Sequence, residues 1–481
     1  MSKQNLKNQV VKGSFWVFGA NLISRGVSFL STLILARLLT PEAFGVIGYG
    51  FLIANAIGLI REMGFDSALI YQKSEIEKAA SASLIFIFLW SLCLYLMVFI
   101  FAPVAATFFR EARLVGLLRV LTISMVLNSL SSIPMSLMSK DIDFKRRVIP
   151  EVFNLTVYGI VTAIFAFLGF DYWAFVIGVL SADLVQLITA MILRPVRIQL
   201  IVEIPILREL FRFGKNILGL NVLNFGIRNI DDFFVGRMLG TVPLGIYNFA
   251  YRIANIPATN ITNVIGKVLY PGFVKIADDK QRLREAFLKS LEYVTFLTIP
   301  VTLYIILIIP DVVHLFFPKW IEAIVPIQLI AYFGGVRSIG SGTGSVVMAK
   351  GKPGLLLPIS LTQLVFLAVL LYPVTRIWGL TGVCILVNVS ITISFIWSFL
   401  LVKNLTDISL KSVLKILASP FLISTALLIA LSVDIVENLS NWKYYLIVLK
   451  GIGFPGLFLI FSILFTDIPK RMIQDLRNRN L

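Results

Sequence analysis

Stretches of about 20 predominantly apolar residues, long enough for a helix to cross a membrane, recur from one end of the chain to the other. In lipid such stretches fold as helices, because every backbone polar group has to be paired within its own segment. Hydrophobic residues fill 58% of the 481 positions and charged residues only 14%. We therefore predict an all-α integral membrane protein with fourteen spans: 14–36, 44–61, 79–102, 114–137, 150–169, 173–193, 216–238, 244–268, 289–309, 323–347, 354–374, 380–401, 414–433 and 444–466.

Residues 13–60 and 213–260 resemble each other at an offset of 200 positions. Nine of 37 aligned positions are identical: Gly19/Gly219, Asn21/Asn221, Gly26/Gly226, Arg37/Arg237, Leu39/Leu239, Gly45/Gly245, Ile53/Ile253, Ala54/Ala254 and Asn55/Asn255. The identical polar residues are the strongest evidence, because two segments rich in apolar residues share many leucines by chance. The pattern indicates an internal duplication.

Weaker matches continue the duplication along the chain. Pro103 and Phe109 correspond to Pro310 and Phe316, and Lys140 corresponds to Lys350, with offsets of 207 and 210. We predict two six-helix lobes, at 1–200 and 201–402, followed by two accessory helices and a basic tail at 403–481. Six helices return the chain to its starting face, so the repeat is expected to be parallel. Residues 194–215 are interpreted as an interfacial segment between the lobes.

The net charge of +17 is distributed unevenly across the predicted spans. Most of the 43 Lys and Arg residues fall in loops on the side that holds both termini. This asymmetry is the positive-inside pattern and predicts cytoplasmic termini in the cytoplasmic membrane. Nucleic acid is therefore not needed as a partner to explain the charge.

Several predicted spans carry an arginine at membrane depth, namely Arg25, Arg228, Arg252 and Arg337. An arginine facing lipid at the centre of a span costs about 2.5–3.5 kcal/mol on insertion scales, so these side chains are expected to line a cavity or to form ion pairs. Arg228 has Asp231 and Asp232 within one helical turn, and for it both interpretations stay open. For Arg25 and Arg337 we favour a water-filled lumen.

A cationic lumen predicts an anionic cargo, because guanidinium groups bind phosphate in a planar, bidentate manner. Candidate substrate-binding residues are the four arginines together with Asn21, Asn221 and Asn255, whereas Asp231 and Asp232 are candidates for ion coupling. The sequence contains no G-x-x-x-x-G-K-[ST] motif and no Cys/His cluster. We accordingly predict no catalytic residue, no metal and no cofactor.

Three segments carry a family resemblance: Ala36 to Gly45, Gly169 to Ala174, and Leu244 to Asn255. They resemble polysaccharide transporters of the multidrug/oligosaccharidyl-lipid/polysaccharide exporter superfamily, in the branch that exports lipopolysaccharide, colanic acid and teichuronic acid. The resemblance spans nearly the whole chain. It implies a MATE-like transporter that moves undecaprenyl-diphosphate-linked oligosaccharide from the inner to the outer leaflet by alternating access. A polysaccharide polymerase is a further candidate partner.

Two other functions compete with this interpretation. A drug/cation antiporter of the same fold would be expected to have a lumen dominated by acidic residues, and the excess of arginine argues against it. A membrane glycosyltransferase, polymerase or ligase would need a catalytic carboxylate or histidine on a substantial loop, and the predicted loops are short.

Overall fold

A computed structural model describes residues 30–62, 75–141, 143–196, 204–255, 263–432, 443–466 and 468–478, with a few isolated positions outside these ranges. Helices dominate all of them. In the first part of the chain the helices are α1 (30–38), α2 (Pro41–Glu62), α3 (Ile76–Phe109), α4 (Leu114–Leu121), α5 (Ile123–Lys140), α6 (Phe144–Phe167), α7 (Trp173–Leu193), α8 (Ile204–Leu239) and α9 (Thr241–Ala254).

The second part of the chain continues with α10 (Asn263–Lys275), α11 (Lys280–Phe316), α12 (Ile324–Ala349), α13 (Leu356–Thr406), α14 (Leu410–Ser432), α15 (Lys443–Phe465) and α16 (Ile468–Asn478). A short 3₁₀ helix, Pro318–Ala323, precedes α12. The 51-residue α13 contains two predicted spans, and Gly379, with φ 58 and ψ −144, separates them. Only glycine adopts this conformation without strain, so it sets the turn between the two spans.

The all-α membrane fold is confirmed. Within the described residues, nine helices are long and apolar enough to cross a membrane. Two boundaries differ from the prediction. The helix that contains the predicted span 216–238 begins earlier than predicted, at Ile204 with Pro205 in its first turn, and so includes part of the segment interpreted as interfacial. The predicted span 244–268 contains two helices, α9 and α10, and its predicted bend at Pro257 lies outside the described residues.

The chain divides by its contacts into two compact units, Met1–Gly245 and Ile246–Leu481. Helix α8 belongs to the first unit because it packs against α2 and α3. This boundary lies after the first helix of the second sequence repeat. The lobe limits at residues 200 and 402 stay a prediction.

A close crossing of α2 and the start of α9 shows the duplication at atomic level. A Cβ built on Gly45 would lie 1.9 Å from the carbonyl oxygen of Thr241, and one built on Gly245 would lie 1.8 Å from that of Pro41. In the sequence repeat Pro41 corresponds to Thr241 and Gly45 corresponds to Gly245. The contact of Gly45 with Thr241 is therefore equivalent to the contact of Gly245 with Pro41, as expected for repeats related by a twofold axis. All four residues belong to the first unit. The two glycines let the backbones approach closely enough for Cα–H···O contacts.

The matching lysines Lys140 and Lys350 hold equivalent loops in their own units. The Lys140 ammonium, at the end of α5, donates hydrogen bonds to the carbonyl oxygens of Leu69 and Gln72. The Lys350 ammonium, just after α12, donates to the carbonyl oxygen of Ala277. In both units the lysine therefore binds the chain that leads into the next long helix, α3 or α11. Each half of the chain thus repeats the same local design.

Candidate functional site

The first unit contains a cavity of about 770 Å³ that is lined by α2, α4, α5, α7 and α8. Asparagine dominates its polar lining: Asn55, Asn128, Asn221, Asn224 and Asn229. Two arginines, Arg61 and Arg228, and one carboxylate, Asp183, share the same walls. Its volume falls in the usual range for small-molecule sites. Helices that are otherwise apolar thus line a site with many polar side chains.

Two of the predicted binding residues, Asn221 and Arg228, lie on this cavity wall. They stand seven positions apart on α8, which is two helical turns, so both face the same side. The Arg228 side chain is exposed and makes no hydrogen bond or ion pair with any described residue. A guanidinium group in this position has all five N–H donors available to a ligand or to water.

The intrahelical pairing considered for Arg228 does not form. Among the described residues, no ion pair joins Arg228 to Asp231 or Asp232, and neither carboxylate lines the cavity. Asp231 is buried, at 3% exposure, and its carboxylate accepts a 3.0 Å hydrogen bond from the backbone N–H of Asp232. The arginine and the two acids on α8 are therefore separate features.

The remaining predicted residues are distributed elsewhere. Arg252 and Asn255, at the end of α9, and Arg337, in the middle of α12, belong to the second unit. The Arg252 side chain is exposed and that of Arg337 is half-buried. Asn255 is buried and its amide donates a 3.2 Å hydrogen bond to the carbonyl oxygen of Tyr251. Asn21 and Arg25 lie outside the described residues.

A buried carboxylate on the cavity wall is the feature that the sequence analysis missed. Asp183, on α7, accepts a 2.8 Å hydrogen bond from the Asn128 amide and a 3.0 Å hydrogen bond from the Asn154 amide, one on each carboxylate oxygen. These amides come from α5 and α6, so three helices meet at one acid. Arg61 lies nearby and donates a 3.3 Å hydrogen bond to the Met125 carbonyl oxygen.

A signal for this cluster was present in the sequence. Asp183 is the one charged residue in the predicted span 173–193. The cost of ionisable groups at membrane depth that drew attention to the arginines applies equally to this acid. Arg61 was missed for a different reason, because it lies at the end of its predicted span, where a basic residue is common.

A second polar cluster lies at the connection between α3 and α4. Arg113 donates hydrogen bonds to both oxygens of Glu111, at 2.7 and 2.9 Å, and to a carboxylate oxygen of Glu42 at 2.8 Å. The Thr241 hydroxyl donates a further 2.7 Å hydrogen bond to Glu111. The hydrogen bonds from Arg113 lower the pKa of Glu111, although burial opposes them, and hydrogen bonding to Glu111 raises the pKa of Arg113. The cluster secures the glycine crossing, because Glu42 and Thr241 start the two helices that cross.

Solved structures with a similar fold are membrane transporters. The lipid II flippase MurJ in an inward closed conformation superposes with a TM-score of 0.71 at 17% identity, covering 94% of this chain and 98% of the flippase. An inward-facing multidrug resistance MATE family transporter of the MOP superfamily gives a TM-score of 0.62 at 19% identity, covering 80% and 96%. These likenesses establish the fold and agree with the MATE-like plan.

Sequence relatives point to surface polysaccharides. Teichuronic acid biosynthesis protein TuaB of Bacillus subtilis (strain 168) is 23% identical over 437 residues, which is 88% of each chain. Lipopolysaccharide biosynthesis protein WzxC of Escherichia coli (strain K12) is 24% identical over 438 residues, covering 88% of this chain and 87% of the relative. A family model described as "Polysaccharide biosynthesis protein" matches residues 34–325, more than half of the chain, and this protein therefore belongs to that family.

Proposed function

We propose that the protein is a flippase that moves undecaprenyl-diphosphate-linked oligosaccharide from the inner to the outer leaflet of the cytoplasmic membrane by alternating access, for cell-surface polysaccharide synthesis. Family membership, and relatives named for teichuronic acid and lipopolysaccharide biosynthesis, support the class of cargo. The likeness to the structure of the lipid II flippase MurJ supports a fold suited to lipid-linked sugars. The protein would be a transporter and not an enzyme.

The cavity in the first unit is the single observation that carries this proposal. Arg228 lines this cavity and has no hydrogen-bond or ion-pair partner among the described residues, and five asparagines share the lining. A guanidinium group can bind a diphosphate through paired N–H donors, and amide side chains both donate to and accept from sugar hydroxyls. A polar cavity between apolar helices offers a passage for a hydrophilic head group whose lipid tail stays in the bilayer.

Several parts of the proposal extend beyond this cavity. We propose that Arg25, Arg252 and Arg337 hold the diphosphate and acidic sugars at other stages of transport, and that Asn21 and Asn255 assist them. Both termini are assigned to the cytoplasm from the charge pattern. A polysaccharide polymerase would receive the translocated cargo.

A drug/cation antiporter is the second candidate, because a MATE family transporter shares the fold and Asp183 supplies a carboxylate on the cavity wall. Against it stand the two arginines of the same cavity, which would repel a cationic drug. The family to which the chain belongs also favours a polysaccharide precursor over a drug.

Reconstituted vesicles test the transport function. We expect wild-type protein to expose a polyprenyl-diphosphate oligosaccharide to an impermeant lectin, and Arg228→Ala to lower the initial rate about 10-fold or more, since hydrogen bonds to charged groups contribute about 1.5–3 kcal/mol. Arg282→Ala, which changes an exposed arginine on α11 that is not part of the cavity lining, is the matched control. Cation efflux without lipid translocation would instead identify an antiporter.

The same vesicles test ion coupling. We propose that Asp231 or Asp232 is protonated or cation-bound at one stage of the cycle, because burying an ionised carboxylate at this depth is costly. Asp231→Asn or Asp232→Asn should then remove the dependence of transport on an imposed proton or sodium gradient. A normal gradient response in both variants would leave the two acids with a structural role.

A further inference from the structure

We propose that Asp183 and Asn128 form a sugar-binding subsite in the cavity of the first unit, which selects a sugar with free hydroxyl or amino groups over an acidic sugar. Asn154 is the positioning residue of this subsite. The inference rests on the proposed flippase function and adds to it a class of sugar and the residues that recognise it.

The geometry of Asp183 suits a ligand-binding acceptor. Each carboxylate oxygen accepts one amide hydrogen bond, at 2.8 Å from Asn128 and 3.0 Å from Asn154. An ionised carboxylate provides about four acceptor positions, so about half of its capacity is left after these two bonds. Asp183 and Asn128 both line the cavity, whereas Asn154 approaches from α6 and is not part of the lining. The two amides thus hold in place a carboxylate that lines the cavity.

The charge of Asp183 is not neutralised by an ion pair within the described residues. Arg61 lies on the same wall, where its charge attracts Asp183 without forming an ion pair, and it donates a hydrogen bond to the Met125 carbonyl oxygen. A purely structural link between α5 and α7 would not require a charge, since Gln186 on α7 already donates a 3.5 Å hydrogen bond to Ser131 on α5 with neutral groups. An acid at this depth is costly, and recognition of a ligand explains why it lies on a cavity wall.

The chemistry of the cavity separates two parts of one cargo. Arg228 presents free donors suited to a phosphate, while Asp183 and Asn128 present acceptors and an amide suited to adjacent sugar hydroxyls. Phe51 and Phe225 add apolar surface for the C–H faces of a sugar ring. Because both groups line one cavity of about 770 Å³, a diphosphate bound at Arg228 would bring its adjacent sugars into the cavity that Asp183 lines.

This arrangement predicts selectivity by charge. A uronic acid carboxylate beside Asp183 would suffer like-charge repulsion. A neutral sugar avoids this cost, and an amino group placed directly against the Asp183 carboxylate gains a local attraction, although Arg61 and Arg228 repel cations at their own positions in the cavity. The sugars nearest the diphosphate should therefore be neutral or amino sugars.

Binding measurements on purified full-length protein test the subsite. The probes are three polyprenyl diphosphates that carry a neutral disaccharide, the same disaccharide with a hexuronic acid next to the diphosphate, or no sugar. We expect the wild type to bind the neutral compound about 10-fold more tightly than the acidic one. Asp183→Asn should lose about 10-fold in affinity for the neutral compound, should reduce its preference over the acidic compound, and should bind the sugar-free diphosphate like the wild type.

Two further variants separate recognition from folding. Asn154→Ala leaves Asp183 in place but removes its support from α6, so we expect an intermediate loss of preference for the neutral sugar with unchanged binding of the sugar-free compound. Gln186→Leu removes the other hydrogen bond between α5 and α7 and should change none of the three affinities.

Each result decides a different question. Equal wild-type affinity for the neutral and the acidic compound would overturn the subsite, even if Asp183→Asn failed to fold. A folded Asp183→Asn variant with wild-type preference would overturn it as well. Failure of the wild type to bind any of the three lipids would contradict the proposed flippase function itself, and with it this inference.

Discussion

Arg228 and Asp183 carry opposite charges on one cavity wall, and different surroundings make each of them tolerable there. Arg228 lines the cavity and has no hydrogen-bond partner among the described residues, so its guanidinium N–H groups are open to solvent or a ligand. Asp183 instead receives amide hydrogen bonds on both carboxylate oxygens. At the scale of single residues, the site therefore combines an arginine that has no partner among the described residues with a carboxylate that two asparagine amides fix in place.

Glu111 gives a residue-scale prediction about pH. Its pKa lies below the ordinary value, chiefly through hydrogen bonds from Arg113, so the folded state favours the ionised form. The resulting stabilisation is present above the unfolded pKa, roughly pH 4.3, and is lost as the pH falls through the lower folded value. Glu111→Gln should lower the thermal unfolding temperature in detergent by about 1–2 °C at pH 7, and the difference from wild type should shrink below pH 4.

The control for this measurement is Glu151→Gln. Glu151 forms an exposed 3.6 Å ion pair with Arg147, which should contribute little at any pH. A Glu111→Gln variant whose deficit is the same at pH 7 and at acidic pH would contradict the assigned role of the charged form.

At the scale of helices, the crossing of α2 with the start of α9 depends on two glycines. Each of the two glycines packs against a backbone carbonyl of the other helix, so a side chain added on either helix would push the two backbones apart. The polar cluster of Glu42, Glu111, Arg113 and Thr241 then joins the ends of these helices to the α3–α4 connection. Backbone contact and charged hydrogen bonds together fix this part of the first unit.

Substituting the crossing glycines tests this contact. Gly45→Ala would place a methyl group 1.9 Å from the Thr241 carbonyl oxygen, and Gly245→Ala would place one 1.8 Å from that of Pro41. Since backbone atoms cannot yield as a flexible side chain does, each variant should cost about 1–3 kcal/mol, measured as a lower unfolding temperature in detergent. Gly58→Ala, in the same helix with nothing within 4 Å, should leave stability unchanged or slightly raised. Equal effects of Gly45→Ala and Gly58→Ala would rule out a tight crossing.

At the scale of the whole molecule, each of the two compact units repeats one design. Lys140 and Lys350 anchor equivalent loops, one in each unit. Apolar side chains from α3 and α5 cluster near the first lysine, and side chains from α11 and α12 cluster near the second. Duplication of a six-helix unit explains these pairs, since each half inherited the same packing.

The charge pattern predicts the orientation of the molecule in the membrane. In a variant with Cys93 and Cys384 replaced by serine, a cysteine at Arg110 should react with an impermeant maleimide added to intact cells. A cysteine at Lys145 should react only after permeabilisation, because the two positions flank a single predicted span and the basic loop is expected inside. Both side chains are exposed in the structure, so accessibility within the protein does not limit either reaction. The opposite labelling pattern would reverse the assigned topology.

The sequence by itself determined the fold class, the duplication and part of the site. Apolar runs of membrane-spanning length permit only helices, and recurrent polar residues reveal a repeat, because both signals are local along the chain. The membrane-depth arginines were found in the same way, and the structure places Arg228 on a cavity wall.

Only the tertiary structure decided how charges from different helices combine. Asp183 meets Asn128 and Asn154 across 55 and 29 positions of sequence, and no periodicity predicts such a meeting. Arg228 and its neighbouring acids lie within one turn of α8, a spacing that allows an ion pair, yet helix packing directs the arginine to the cavity and buries Asp231. Spacing along a helix fixes which side chains can meet, but the neighbouring helices determine whether they do, because burial and the available partners set the free energy of each charge.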